Sequence, residues 1–315
     1  MASWLILAIG AQFVFALVAL LDKYIVSDSK ALPQPFVYAF VTCLMSGASI
    51  LVFFLSWIPI PLEGVVFPSL RNIEFPSLAV VAFSFLSAYT FFSALTSMFS
   101  ALKNADASDV VPVVGSVSAL GTFALGYFFL GGSLSPHFIA GIVLLAVGTA
   151  LVSHFRFHYK TALISIHAGL FFALHYVTFK GLLGITTFDN AFFWSRVGFV
   201  CFALSMLLVP DWFDRVVGQA KTTGKRAGAL VVGNKVLAGI ASILILKATE
   251  LVPQDQFPVV QALGGLQFVF VLALGFMFGR HTPHALGENT HQMRDILHKA
   301  AFVSIIALGF FMLFV

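Results

Sequence analysis

Residues 109–114 have the sequence DVVPVV, and residues 255–260 have the related sequence DQFPVV. Each half of the 315-residue chain contains one copy, at the head of a long apolar run. A charge and a helix-breaking proline are both costly inside a bilayer, so their joint return indicates an internal duplication. Two interpretations of Asp109 and Asp255 are open. Each caps the start of a helix, or each marks a kinked helix along a central path.

The composition is that of a membrane protein. Hydrophobic residues make up 60% of the chain and charged residues 10%, with a mean hydropathy of +1.00. A soluble protein of this size needs more charge to cover its surface. We therefore predict an all-α, multi-pass protein of the cell membrane with almost no soluble domain. The net charge of +4 comes from residues at helix ends, which argues against a nucleic-acid partner.

Apolar runs of bilayer-spanning length predict ten transmembrane helices. They cover residues 4–22, 35–56, 78–99, 109–130, 137–153, 162–179, 189–209, 228–248, 256–278 and 300–315. The connections between them are short, apart from three longer loops.

Further matches extend the duplication to five helices on each side. Residues 15–17 with Lys23 match residues 172–174 with Lys180, and similar small residues recur in the fifth and tenth spans. The chain then divides into two repeats, residues 1–158 and residues 159–315. Because five is an odd number, the second repeat enters the membrane from the opposite side. Such inverted five-helix repeats are typical of secondary transporters.

Lysine and arginine predict the orientation. After the odd-numbered spans they are Lys23, Lys30, Lys103, Arg156, Lys160, Arg215, Lys221, Lys225, Arg226, Arg280, Arg294 and Lys299. After the even-numbered spans they are Arg71, Lys180 and Lys247. The positive-inside rule then places both termini outside the cell.

The residues from Ala107 to Ser153 carry a family resemblance. They combine a proline near a helix start, a series of small residues from Gly115 to Gly121, and a short GGSLS turn. Residues 261–267 (QALGGLQ) and 300–309 repeat this arrangement. Both halves resemble EamA-type domains of the drug/metabolite transporter superfamily. The resemblance implies ten helices and a permease function.

Two departures limit what the resemblance transfers. Family members often carry a glutamate in the turn between the fourth and fifth helices, where this chain has Gly132 and residues 279–284. No role is therefore carried over for that glutamate. Ten-helix members also generally have both termini in the cytoplasm, which is opposite to the orientation predicted from the charges.

Two cations lie within predicted spans, Arg196 in the seventh and Lys235 in the eighth. A charge at the centre of a membrane helix costs roughly 2.5–3.5 kcal/mol on insertion scales, and these two lie off-centre. They are interpreted as ligands for a substrate carboxylate or phosphate. The alternative is a structural ion pair, with Asp189 as one acceptor, or a side chain that reaches the interface.

Other polar residues in the later spans complete the candidate binding site. Asn234, Gln261 and Gln267 are buried amides, and the two glutamines fall on different faces of one helix. His175 lies near the same helix face as His167, which suits a proton relay or a hydrogen-bonded core histidine. Trp194 is placed to stack on a ligand or to lie at the interface.

Histidines also cluster outside the spans. They are His154, His158, His281, His284, His291 and His298, with Glu288 among them. Without an HExxH motif or a nearby cysteine, solvated loop histidines are favoured over a metal site.

The sequence thus predicts a transporter, without a cofactor, that moves a small polar or amphipathic metabolite by alternating access. Its partners would be that substrate and membrane lipid, with protons as a candidate coupling ion. The first span has no carboxylate before Asp22, unlike small multidrug-resistance relatives, which argues against a cationic-drug antiporter. Arg196 and Lys235 favour a neutral, zwitterionic or anionic substrate. The alternatives are a membrane-embedded enzyme acting on lipid or peptide bonds, or a non-transporting scaffold.

Overall fold

The computed structural model describes residues 3–27, 32–60, 65–130, 136–153, 159–253, 256–279, 305 and 308–309. Across these residues the regular structure is helical. The α-helices are α1 (Ser3–Ser27), α2 (Pro35–Ser46), α3 (Leu78–Asn104), α4 (Ala107–Leu130), α5 (Pro136–Ser153), α6 (Tyr159–Leu183), α7 (Phe188–Met206), α8 (Pro210–Thr222), α9 (Lys225–Leu251), α10 (Phe257–Ala262) and α11 (Gly265–Gly279). Two 3₁₀ helices cover Gly47–Leu55 and Leu70–Asn72.

Six helical segments in the described ranges are long and apolar enough to cross a membrane. They are α1, α2 with its 3₁₀ extension, α3, α4, α6 and α9. Helices α7 and α8 pass the same test together but are bent by 101° at the break between them. The all-helical, multi-pass membrane class is confirmed. The number ten and the inverted relation stay predictions, and the tenth span lies mostly outside the described residues.

The first span is longer than predicted. We expected it to end at residue 22, but α1 continues to Ser27. The next proline is Pro33, so no helix breaker interrupts this segment. Asp22 consequently lies inside the helix, where it is 1% exposed.

The seventh span is shorter than predicted, since α7 ends at Met206 and not at residue 209. Pro210 begins α8, and Val209 before it is extended, with φ −92° and ψ 116°. A residue that precedes proline is disfavoured in the helical region, which explains the bend.

The predicted ninth span is two helices. The chain turns at Leu263 and Gly264, between α10 and α11. A Cβ atom at Gly264 would lie 2.9 Å from the carbonyl oxygen of Gln261, so this turn requires glycine. Pro258 lies in the first turn of α10, where proline is tolerated, whereas Asp255 lies outside the described residues. In α4 the matching Asp109 lies in the first turn, with Pro112 inside the helix.

Packing places helices of the two halves against each other. Helix α1 packs against α9 and α11, and α6 packs against α3 and α4. Apolar side chains form the contacts, among them the fully buried rings of Phe99, Phe179, Phe192 and Phe257.

A lysine near the end of one helix in each half holds the end of another helix. Lys23 Nζ donates to the carbonyl oxygens of Leu102 (2.7 Å) and Ala105 (2.8 Å). Lys180 Nζ donates in the same way to Thr249 (2.8 Å) and Val252 (3.2 Å). Cations are favourable beside the carbonyl groups at a helix C-terminus. The C-terminal ends of α3 and α9 are therefore held by equivalent contacts.

Candidate functional site

A cavity of about 130 Å³, here called the central cavity, lies among helices of both halves. Its wall includes residues of α1, α3, α4, α6 and α9. Helices α10 and α11, on either side of the turn at Gly264, contribute to it as well. Its polar lining residues include Gln12, Asp22, Thr42, Ser118, His175, Arg196, Lys235, Gln261 and Gln267. The structure thus brings five of the predicted site residues to one place.

Lys235 belongs to a polar cluster around Asp22. Its Nζ lies 3.0 Å from Asp22 Oδ1, which also accepts a hydrogen bond from Asn234 Nδ2 at 2.6 Å. The hydroxyl of Tyr38 donates to the same carboxylate oxygen and accepts a second bond from Asn234 Nδ2 at 2.9 Å. The ring of Tyr38 also faces the ammonium group, 3.9 Å from ring centre to Nζ. The charge of Lys235 is therefore neutralised within the protein.

The acid that pairs with Lys235 was not among the predicted site residues. We named Asp189 as one acceptor, but Asp189 Oδ2 accepts from Ser69 N (3.1 Å) and Asn72 Nδ2 (2.7 Å). The first half also supplies an opposite charge that the sequence analysis did not anticipate. One signal was present: Asp22 lies in an apolar segment without a helix breaker, so α1 could extend past it.

Arg196 is the second buried cation, and it has different surroundings. It is 2% exposed, and its Cζ lies 4.8 Å from the ring centre of Phe192 and 4.9 Å from that of Phe199. Both rings belong to α7, one turn before and one turn after, so the helix itself provides the aromatic contacts. Within the described ranges, Arg196 Nε has no hydrogen-bond partner and no carboxylate pairs with the guanidinium.

The two glutamines both line the cavity, because the helix break places them on separate helices. Gln267 Nε2 donates to the carbonyl oxygen of Phe15 on α1 at 3.1 Å. Gln261 Nε2 is buried and has no hydrogen-bond partner among the described residues. Our expectation of two faces on one continuous helix was wrong for this reason. The sequence could not show that the chain turns between them.

Both predicted relay histidines contact serines of α3. His175 Nδ1 lies 3.0 Å from Ser87 Oγ, and the ring is buried on the cavity wall. His167 Nδ1 lies 2.8 Å from Ser97 Oγ and is exposed. The two rings therefore have separate partners and different surroundings, which favours hydrogen-bonded histidines over a shared proton path.

Trp194 lies away from the central cavity. Its Nε1 donates to the carbonyl oxygen of Glu74 at 3.0 Å. Asn190 binds the same loop, since its Oδ1 accepts from Glu74 N at 2.8 Å. The start of α7 thus holds the segment that leads into α3. The indole N–H of Trp194 is used for the hydrogen bond to Glu74.

No group of three or more histidine, cysteine, aspartate or glutamate residues that could hold a metal ion occurs among the described residues. The histidines predicted as loop residues, His154, His158, His281, His284, His291 and His298, lie outside those residues, as does Glu288.

Comparison with known proteins finds a family match in the first half of the chain. Residues 2–154 match the EamA-like transporter family. No curated protein matches the chain. A crystal structure of another protein aligns over 98% of this chain and 95% of its own, with 15% sequence identity and a TM-score of 0.60. That likeness shows a shared fold along almost the whole chain. In this multi-pass membrane protein, the match over residues 2–154 is to the EamA-like transporter family, which is consistent with the drug/metabolite transporter superfamily.

Proposed function

We propose that the protein is a secondary transporter, and not an enzyme, that moves a small polar or amphipathic metabolite by alternating access. Of the neutral, zwitterionic and anionic substrates that the sequence favours, the cavity supports an anionic group best. The observation that carries this proposal is Arg196, a buried cation on the cavity wall with no ion-pair partner in the described structure.

Energetics explains why this cation points to a ligand. An uncompensated buried charge is strongly destabilising, by about 3–5 kcal/mol where one partner of a buried pair is removed. The rings of Phe192 and Phe199 offset part of this cost, since a cation–π contact contributes roughly 0.5–2 kcal/mol. An anionic substrate would offset the remainder when it binds.

Further unpartnered groups suit the same ligand. Gln261 Nε2 and Ser118 Oγ are buried in the cavity lining without hydrogen-bond partners among the residues described. With Arg196 Nε they offer three polar atoms for a carboxylate or phosphate that accepts several hydrogen bonds. Buried polar atoms in proteins are normally paired, so atoms left unpaired at a cavity support a binding role.

Protons are the proposed coupling ion, and Asp22 is the group that would take one up when its pair with Lys235 opens. It is a buried carboxylate in the first helix and faces the cavity. In the sequence this acid stands at the end of the predicted first span, and that position was evidence against a cationic-drug antiporter. Since Lys235 neutralises Asp22, the preference against a cation still follows, now for a structural reason.

Matched contacts support ten helices in two inverted repeats, residues 1–158 and 159–315. Lys23 and Lys180 make equivalent contacts with the ends of α3 and α9. The packing of α1 on α9 is matched by that of α6 on α3. For the helix pairs compared, a helix of one repeat and its counterpart in the other repeat therefore pack against equivalent partners. The distribution of lysine and arginine supports both termini outside, which cysteine labelling of intact cells at each terminus would test.

Transport in proteoliposomes tests the function. Uptake of inorganic phosphate, butanoate, glutamate and tetraethylammonium is measured with and without an imposed pH gradient. We expect uptake of an anion, lost in Arg196→Gln and kept in Arg215→Gln, which changes an exposed arginine on α8. Uptake of the cation alone, or anion uptake unaffected by Arg196→Gln, would refute the proposal.

A further inference from the structure

A second cavity of about 690 Å³, here called the lateral cleft, lies beside the central cavity. The 3₁₀ helix that extends α2 forms one side and the middle of α9 forms the other. Its lining is mainly aliphatic and includes Met45, Leu51, Leu55, Val236, Ile240 and Leu244. Apart from Arg196 and Lys235, which also line it, the sequence did not single out the residues of this cleft.

The outer rim of the lateral cleft faces the surroundings of the protein. Leu51 is 64% exposed and Val236 is 56% exposed. At 1.5 Å per residue, Val236 and Ile240 lie roughly 17–23 Å from the start of α9, which is about 40 Å long. Because α9 has the length and composition of a membrane span, this rim opens near the middle of the bilayer. Hydrocarbon surrounds it there, not water.

The inner end of the lateral cleft reaches the unpaired cation. Six residues line both cavities: Thr42, Phe91, Arg196, Lys235, Ala238 and Ser242. The two cavities are thus adjacent, and the lateral cleft itself extends from its bilayer-facing rim to Arg196. Lys235 is paired with Asp22, so this aliphatic approach ends at one cation, Arg196, that has no ion-pair partner among the described residues. Such an approach suits an amphiphile with an anionic head.

Cavity size separates the possible substrates. Sites for drug-sized ligands have volumes of about 300–1,000 Å³. The central cavity is smaller than this range, whereas the lateral cleft lies within it. A substrate too large for the central cavity would therefore have to occupy the central cavity and the lateral cleft together. Lipid tails are as apolar as aliphatic side chains, so the free energy of a tail changes little when it moves from the bilayer into the cleft. The contact of the headgroup with the protein then decides whether the cleft is occupied.

We infer that the lateral cleft admits the aliphatic tail of a single-chain anionic amphiphile from the bilayer, while its carboxylate or phosphate head binds Arg196. This inference rests on the proposed function, because it uses the same anion site. It adds a substrate class and a lateral route from the membrane.

Photolabelling in nanodiscs of phosphatidylcholine tests the route. The probe is dodecanoate with a photoactivatable diazirine next to its carboxylate. We expect labels on Thr42 and Ser242, beyond the bilayer-facing rim, and at least tenfold less labelling when excess unlabelled dodecanoate is added. Labels confined to outward-facing side chains, or labelling that excess dodecanoate does not reduce, would overturn the inference.

Two glycines of α9 provide a matched pair of variants. A Cβ atom at Gly239, which lines the cleft, or at Gly233, which does not, meets no atom within 4 Å. Gly239→Trp therefore adds a bulky ring to the cleft from a position where a Cβ atom meets no obstruction, and we expect it to reduce labelling at least tenfold. Gly233→Trp is expected to leave labelling unchanged. Equal labelling in the two variants overturns the inference, as does equal labelling by the matched dodecylamine probe.

Short anions separate the two proposals. If Gly239→Trp removes dodecanoate labelling and Arg196→Gln also removes it, both proposals stand. If dodecanoate does not label Thr42 or Ser242 while butanoate or phosphate still binds in an Arg196-dependent way, the lateral route fails and the proposed function remains. If Arg196→Gln alters neither dodecanoate nor short-anion binding, both fail.

Discussion

Lys235 and Arg196 are both buried cations on the wall of the central cavity, but their surroundings are opposite. Lys235 is held by Asp22, which also accepts hydrogen bonds from Asn234 and Tyr38. Arg196 has two aromatic rings and, in the described residues, no counter-charge. The charge of Lys235 is paired within the protein, whereas the charge of Arg196 remains available to a ligand. Position within a span therefore does not decide the role of an intramembrane cation; its partners do.

Breaking the ion pair between Lys235 and Asp22 should have the largest effect. Lys235→Met leaves Asp22 as a buried, uncompensated carboxylate, so we expect a loss of about 3–5 kcal/mol in stability. Thermal unfolding of the purified protein in mild detergent measures it. In the double variant Asp22→Asn with Lys235→Met, most of that loss should be recovered, because neither charge remains. A double variant as unstable as the single one would show that the pair is not the cause.

Removal of the available charge should change binding and not stability. Hydrogen bonds to charged groups contribute about 1.5–3 kcal/mol, so Arg196→Gln should weaken anion binding roughly 10–150-fold. Its unfolding temperature should stay the same or rise, since an unpaired buried charge is removed. Calorimetric titration and thermal unfolding of one preparation check both quantities. A large fall in stability would place Arg196 with Lys235 as a structural cation.

Replacing Gln261 should weaken anion binding in the same way as replacing Arg196, but by a smaller factor. Neutral hydrogen bonds contribute about 0.5–1.5 kcal/mol, so Gln261→Leu should lower anion affinity roughly 2–12-fold without destabilising the protein. Gln267→Leu is the control with a structural cost, because Gln267 bonds to the backbone of α1. The same titration distinguishes them, and equal stability losses in both variants would contradict the assignment.

Trp194 should have the smallest effect on binding. Trp194→Phe removes the hydrogen bond to Glu74 and should cost about 0.5–1.5 kcal/mol in stability. Anion affinity should not change, because the indole lies outside the central cavity. Weaker binding in this variant, at unchanged stability, would instead support the stacking role predicted from the sequence.

Hydropathy alone predicts the membrane class and the approximate position of most helices, because bilayer length and apolar composition are local properties. Helix ends were harder to predict. The extension of α1 past Asp22 and the turn at Gly264 depend on tertiary packing and on one close backbone approach. A window of sequence contains neither.

The candidate site was predicted only in part, because pairing is not local. Asp22 and Lys235 are 213 positions apart, and their contact exists only when α1 packs on α9. Sequence reasoning found both cations as exceptional and treated them alike. Lys235 and Arg196 differ in their partners, and only the folded chain shows which partners they have. The lateral cleft was missed because its lining is apolar and resembles any membrane helix.

The most direct measurement is the thermal shift caused by anions and matched cations in the wild-type protein and in Arg196→Gln. Butanoate, phosphate and dodecanoate are compared with butylamine, tetraethylammonium and dodecylamine, since a ligand that binds the native state raises the unfolding temperature. We predict that at least one anion stabilises the wild-type protein and has no effect on Arg196→Gln, whereas the cations stabilise neither. Stabilisation by cations alone, or equal stabilisation of both proteins by the anion, would contradict an anion site at Arg196.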